Sequence, residues 1–238
     1  MEARKRLALA LDVGTLDEGK AWVRRLSPFV GVVKVGLELF VAEGPKAVQE
    51  LHELGVEIFL DLKLHDIPRT VQRAVEQAGR LPVRYLTLHA SGGRAMLEAA
   101  REGAERVNAR LVLLAVTLLT SLGPEDLREL HLGENPGERA LLWAHLAREA
   151  GIKGLVTSPK EVGLMRRVLG KEAFLVTPGI RRGEPLGDQR RVAGPGEALK
   201  SGADLLVVGR PILEALHPEE AAQAILEEMA EAMGVGEG

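Results

Sequence analysis

The segment Asp61-Leu62-Lys63-Leu64-His65-Asp66-Ile67-Pro68-Arg69-Thr70 gathers the groups best able to move charge. Two carboxylates around one ammonium make either a strand-end ion pair with a helix-capping Asp, or an acid held beside the carboxylates that favour its charged form. The run Val56–Leu60 before it reads as a buried strand, and Pro68 suits the first turn of a helix. Side chains alternate along a strand, so Asp61 and Lys63 share a face with Phe59 and Glu57, while Leu60, Leu62 and Leu64 point the other way.

Other apolar runs also end in polar groups. The first ends in Asp12, the second carries Lys34, the fourth ends in His89 and the fifth leads to Thr117 and Thr120. The seventh runs into Thr177-Pro178-Gly179-Ile180-Arg181 and the eighth into Gly209-Arg210. Two lysines and two or three aspartates in otherwise apolar strands are costly to bury unless they neutralise one another, so a mutually paired cluster is expected. In Val207-Val208-Gly209-Arg210-Pro211-Ile212 a strand meets Gly-Arg and a proline able to open a short helix, an arrangement suited to phosphate. Arg181 and Arg182 on the preceding long connection can add a guanidinium clamp, with Gln189 as a neutral donor.

Several patterns carry less than they suggest. Gly14-Thr15-Leu16-Asp17-Glu18-Gly19-Lys20-Ala21 imitates a nucleotide-binding loop but has Ala21 where a hydroxyl must hold Mg²⁺, so Lys20 is expected on a solvated helix face. His65 and His89 lack a metal-binding motif and read as hydrogen-bonded structural residues. Trp22, Trp143 and the methionines read as packing, and the Glu-rich C-terminal helix as a solvated face.

The elements that must present these groups recur regularly. Apolar runs cover Leu7–Val13, Val30–Leu37, Val56–Leu62, Arg84–His89, Leu111–Thr117, Gly154–Thr157, Ala173–Thr177 and Asp204–Val208. Helical patterns cover Leu16–Leu26, Pro45–Leu54, Pro68–Gly79, Arg94–Val107, Pro136–Ala150, Pro159–Leu169, Gly196–Ser201 and Pro218–Met233. Eight alternating units predict a closed (β/α)₈ TIM barrel forming a single domain over residues 1–238, with chemistry at the carboxyl ends of the strands. Two connections, Ser121–Pro136 and Gly179–Gly196, are long enough to suggest functional loops.

Composition sets bounds around this reading. A net charge of −3 favours neither a nucleic-acid surface nor an acidic tail. The absence of cysteine excludes disulfides and thiol nucleophiles, and suits a reducing cytosol. Apolar runs such as Leu111–Leu119 are too short to span a membrane, so a soluble cytoplasmic protein is expected.

Taken together, Leu11-Asp12, Lys34-Val35-Gly36, Asp61-Leu62-Lys63-Leu64-His65-Asp66-Ile67-Pro68, Val116-Thr117 with Leu119-Thr120-Ser121, Val176-Thr177-Pro178-Gly179-Ile180-Arg181, Asp188-Gln189 and Val208-Gly209-Arg210 closely resemble the bacterial orotidine 5′-phosphate decarboxylases. The match spans nearly the whole chain with every motif in family order. The resemblance implies a homodimer with shared active sites and no metal or organic cofactor, converting orotidine 5′-monophosphate to UMP and carbon dioxide. It implies Lys63 as proton donor to C6, Asp61 beside the departing carbon dioxide, and Lys34 and Asp66 completing the charged array, with Asp66 reaching into the other subunit's site. Asp12 and Lys34 match ribose contacts, Thr70 a ribose contact across the interface, and Ile67 a wall of the neighbouring pocket. Thr120 matches a pyrimidine contact, and Pro178, Arg181, Gln189, Gly209 and Arg210 match the phosphate and closing-loop positions. The competing readings are a Mg²⁺-dependent phosphosugar decarboxylase or aldolase of the same barrel group, which is expected to place an acid where Lys34 stands, and a non-catalytic phosphate-binding barrel, which has no use for the charged array.

Overall fold

The computed structural model describes residues 2–181 and 193–234. Along them run α1 (Glu2–Lys5), β1 (Leu7–Leu11), α2 (Leu16–Leu26), β2 (Val32–Val35), α3 (Leu37–Glu43), α4 (Pro45–His52), β3 (Glu57–Leu64), α5 (Pro68–Ala78) and β4 (Val83–His89). A 3₁₀ turn at Ala90–Gly92 leads to α6 (Arg94–Val107), β5 (Val112–Val116), α7 (Pro124–Glu129), α8 (Pro136–Glu149), β6 (Gly154–Val156) and α9 (Pro159–Leu169). The chain continues through β7 (Phe174–Thr177), α10 (Pro195–Lys200), β8 (Leu205–Val208), α11 (Arg210–Leu213) and α12 (Pro218–Ala232). The strands form a closed barrel in chain order, all pairs parallel, and β1 meets β8 with Ala8 opposite Val207. This is the (β/α)₈ barrel that the eight alternating units predict.

Strand alternation sorts the core into two layers. Ala8, Ala10, Val32, Phe59, Leu114, Val176, Leu205 and Val207 point inward, and their neighbours Leu7, Leu9, Leu11, Val33, Ile58, Leu60 and Leu206 point outward beneath the helices. Inside the barrel, Tyr85 stacks on Phe174 at 5.7 Å and meets the edge of Phe59 at 6.0 Å. Aromatic rings and small alanines thus fill the interior, giving a solid floor rather than a pore.

The structure corrects several expectations. The second strand stops at Val35, because Gly36 caps a helix that runs from Leu37 to Glu43 and ends at Gly44. The expected run Val30–Leu37 thus overshoots the strand, for Leu37 opens this helix and is exposed, as is Val41. The connection Ser121–Pro136 holds α7, which Pro124 opens and which Asp126 secures by accepting from the Gly123 N–H at 2.7 Å. Lys20 is not simply solvated: its Nζ lies 2.6 Å from Glu50 and ties α2 to α4. On the Glu-rich α12, Glu219 takes a two-pronged contact from Arg25 of α2, at 2.7 and 2.9 Å.

The shortest strand depends on a missing side chain. Gly154 opens β6 opposite Leu114, and a Cβ there would overlap the Leu113 carbonyl oxygen and the Leu114 side chain. Gly154→Ala is therefore expected to cost about 1–3 kcal/mol through overpacking, at about 2–4 °C of melting temperature per kcal/mol in a chain of this size. A thermal melt followed by circular dichroism measures this, and an unchanged midpoint would show that the strand shifts freely.

Candidate functional site

The decisive local feature is an irregularity at the end of β3. Between Leu60 and Leu64 the strand advances four residues while β4 advances two, from Leu86 to Leu88. Lys63 sits in this bulge with φ of 48°, a left-handed conformation that costs a non-glycine residue about 1–3 kcal/mol. The bulge keeps Lys63 on the cavity side with Phe59 and Asp61, while Leu62 and Leu64 pack against the outer core.

Asp61 is the hub. Its Oδ2 receives Lys63 Nζ at 2.8 Å and lies 3.3 Å from Lys34 Nζ, and its Oδ1 accepts from the Thr87 hydroxyl at 2.8 Å. Lys34 Nζ is also 3.6 Å from Asp12 Oδ1. Burial pushes the Asp61 carboxyl up, but the Lys34 and Lys63 ammonium groups and the hydrogen bonds from Lys63 and Thr87 outweigh it and hold the group below the usual carboxylate range. Beside this array the His89 and His65 rings lie 5.5 Å apart, and burial, His65 and Lys63 together push His89 below its ordinary value. Among the described residues no group of three or more His, Cys, Asp or Glu could hold a metal ion.

These side chains face a cavity of about 400 Å³ at the carboxyl end of the barrel. Ala10, Phe59, Val156 and Val207 form its floor and belong also to the inner core, so the packed interior sets the depth of the site. Asp12, Lys34, Asp61 and Lys63 stand on one side, and Pro178, Arg181, Gly209 and Arg210 on another. Gly209 is needed for closeness: an added Cβ would lie 3.1 Å from Ala10 Cβ. Thr120, with Leu118 and Leu119, supplies a third wall after β5. The backbone around Arg181 is fixed by its N–H donating to Ala193 O at 2.9 Å.

Nine of the thirteen residues singled out in the sequence therefore line one cavity. Asp66, Ile67 and Thr70 do not: they are exposed at the start of α5, and Asp66 accepts from the Ile67 N–H at 2.6 Å. The N-cap of α5 is Ile67, so Asp66 does not cap that helix. Gln189, like Arg182 and Asp188, lies outside the described residues. Thr117, expected near the site, donates instead to the Val156 carbonyl. Sequence reading missed Thr87, whose hydroxyl between Leu86 and Leu88 gave no sign of the bulge opposite it, and the apolar walls Leu118 and Leu119.

Replacing Lys34 with Met removes one of the two cations on Asp61 and is expected to raise its pKa. At neutral pH the cost is about 1–3 kcal/mol, less than for a wholly uncompensated buried charge because Lys63 remains. The folded pKa of Asp61 is depressed, so its contribution is present above the unfolded value of about 3.9 and is lost as pH falls through the folded one. Urea unfolding at pH 7 and about pH 3 should show the gap between wild type and variant shrinking in acid; a gap that widens would contradict this electrostatic account.

Residues 5–225 match the model of the Orotidine 5′-phosphate decarboxylase / HUMPS family. The chain is 49% identical over 236 residues to an orotidine 5′-phosphate decarboxylase of Moorella thermoacetica, covering 96% of this chain and 94% of that one. It is 47% identical over 242 residues to that of Syntrophotalea carbinolica, covering 99% of each. The crystal structure of the orotidine 5′-phosphate decarboxylase from Lactobacillus acidophilus superposes with a TM-score of 0.84 at 35% identity, covering 94% of this chain and 99% of that one. Barrel, charged array and full-length likeness agree, and the chain belongs to the orotidine 5′-phosphate decarboxylase / HUMPS family.

Proposed function

We infer that the chain acts as its named relatives do: it is a carboxy-lyase that decarboxylates orotidine 5′-monophosphate to UMP and carbon dioxide, the last step of de novo UMP synthesis. The observation that carries this reading is the ammonium of Lys63 held 2.8 Å from a buried carboxylate inside a cavity whose other side carries Arg181 and Arg210. Loss of carbon dioxide from C6 leaves a carbanion in the ring plane, where the π system cannot spread the charge. Lys63 supplies the electrostatic partner for that charge and then the proton, in a preorganised site. Asp61 stands beside the departing carboxylate and fixes the position of Lys63. Lys34 and Asp12 hold the ribose, Thr120 meets the pyrimidine, and Pro178, Arg181, Gly209 and Arg210, with Gln189, take the phosphate. Phosphate contacts remote from C6 supply binding energy for assembling the reactive arrangement.

Asp66, Ile67 and Thr70 enter the site of a second copy in a homodimer. Their exposure just beyond β3 supports this role, as do the apolar Ile67 at 68% exposure and, on α3, Leu37 and Val41 at 53% and 81%. The enzyme works as one catalytic domain in the cytoplasm, without metal or organic cofactor. No helix among the described residues is long and apolar enough to cross a membrane. The Mg²⁺-dependent phosphosugar alternative is disfavoured by Lys34, whose ammonium lies 3.3 Å from Asp61 where a metal would need an acid.

Purified protein is expected to consume orotidine 5′-monophosphate in the presence of EDTA, seen as an ultraviolet absorbance change; turnover only on adding Mg²⁺ would favour the phosphosugar group's chemistry. Lys63→Ala and Asp66→Ala should each be nearly inactive, and mixing them should restore up to about a quarter of wild-type activity, because half of randomly exchanged dimers regain one intact site. Silence after demonstrated subunit exchange would remove Asp66 from the partner's site.

A further inference from the structure

The bulge that places Lys63 leaves a gap in the β3–β4 ladder, and one buried side chain fills it. Thr87 lies on β4 between Leu86 and Leu88, the residues that pair with Leu60 and Leu64, so it faces the extra residues of β3. It is 1% exposed. Its Oγ1 accepts from the Lys63 backbone N–H at 2.9 Å and donates to Asp61 Oδ1 at 2.8 Å. The direction of both bonds is forced: a backbone N–H can only donate, an ionised carboxylate can only accept, and a hydroxyl has one proton and free lone pairs. An apolar side chain of the same shape can make neither bond.

We propose that Thr87 is a positioning residue of this active site: by tying the Lys63 backbone to the Asp61 carboxylate through one hydroxyl, it fixes how far Lys63 Nζ projects toward the reacting carbon. Lys63 holds a left-handed conformation that its neighbours must impose, and its side chain is long enough to swing if the backbone relaxes. With Thr87 in place the lysine is held at both ends, by its N–H and by Nζ on Asp61 Oδ2. Thr87 is not among the residues lining the cavity, so it acts through Lys63 and Asp61. The inference rests on the decarboxylase reading, in which Lys63 is the acid.

Thr87→Val keeps the shape and removes the hydroxyl; Thr87→Ser keeps the hydroxyl and removes a methyl. With orotidine 5′-monophosphate, Thr87→Val is expected to lower kcat by about 10²-fold, the scale of a misplaced reacting group, with KM changed far less. Thr87→Ser should remain within a few-fold of wild type. The groups facing Asp61 are Lys34 from β2, Lys63 from β3 and Thr87 from β4, with Asp12 beyond Lys34 and His89 beyond Lys63. Losing the Thr87 bond removes an influence that lowers the Asp61 pKa, so the acid limb of kcat should move to higher pH in Thr87→Val and not in Thr87→Ser. Melting temperatures of both variants identify any that fail to fold, in which case the pH profile of Thr87→Ser against wild type and of the partly disruptive Thr87→Cys carries the test. Folded Thr87→Val with wild-type kcat and an unmoved acid limb overturns the proposal, as does a Thr87→Ser variant as slow as Thr87→Val. If wild type itself does not turn over the nucleotide, the decarboxylase reading fails instead.

Discussion

A single carboxylate oxygen, Asp61 Oδ2, organises this molecule's chemistry by standing between two ammonium groups at 2.8 and 3.3 Å. A lone carboxylate at that depth would favour its neutral form, and lone lysines would repel each other. With Asp12 3.6 Å from Lys34, they form an array of two lysines and two aspartates whose formal charges balance, with the Lys63 ammonium facing the cavity. The arrangement requires β2 and β3 to be neighbours with Lys34 opposite Phe59, and requires β3 to break its ladder with β4 between Leu60 and Leu64. Parallel pairing meets the first need and the bulge meets the second. The barrel contributes rigidity where the ammonium groups are long and mobile.

Depth and breadth of the site come from different parts of the chain. The floor is shared with the inner core, so Phe59 both seals the barrel and meets whatever enters the cavity. One wall comes from Lys34, Asp61 and Lys63 at the ends of β2 and β3, and the others come from segments after the strands, where side chains are free of the two-residue alternation. Changes to Ala10 or Val207 would therefore alter pocket depth and core packing at once, whereas changes to Leu118 or Thr120 act on the pocket wall. This division lets one scaffold keep its interior while its rim is adapted.

The sequence made the barrel legible because each strand is a short apolar run and each helix restores a longer period, an alternation with few other solutions. The charged cluster was legible for a related reason: Lys34, Asp61 and Lys63 stand in apolar surroundings where unpaired charge is costly. What escaped has a physical explanation in each case. The helix Leu37–Glu43 is short and lacks a clear polar face, so Leu37 reads as the end of the run Val30–Leu37 and no helix is expected after it; only the flanking Gly36 and Gly44 mark its ends. Lys20 reads as a surface lysine until α4 brings Glu50 beside it. Thr87 and the bulge are two halves of one feature separated by 24 residues, and neither half is unusual alone.

The pairing of β1 with β8 places the cavity across the seam where the beginning and end of the chain meet. Asp12 follows the first strand, while Gly209 and Arg210 follow the last, and all three line the same space. A nascent chain with seven strands would own the lysines and aspartates but no finished pocket. Completion of the site thus coincides with the strand pairing of greatest sequence separation, the one whose loop-closure entropy is largest among the ladders. A ligand that touches both sides of the seam binds only the closed barrel and so draws the equilibrium toward it. The cavity doubles as the clasp of the fold.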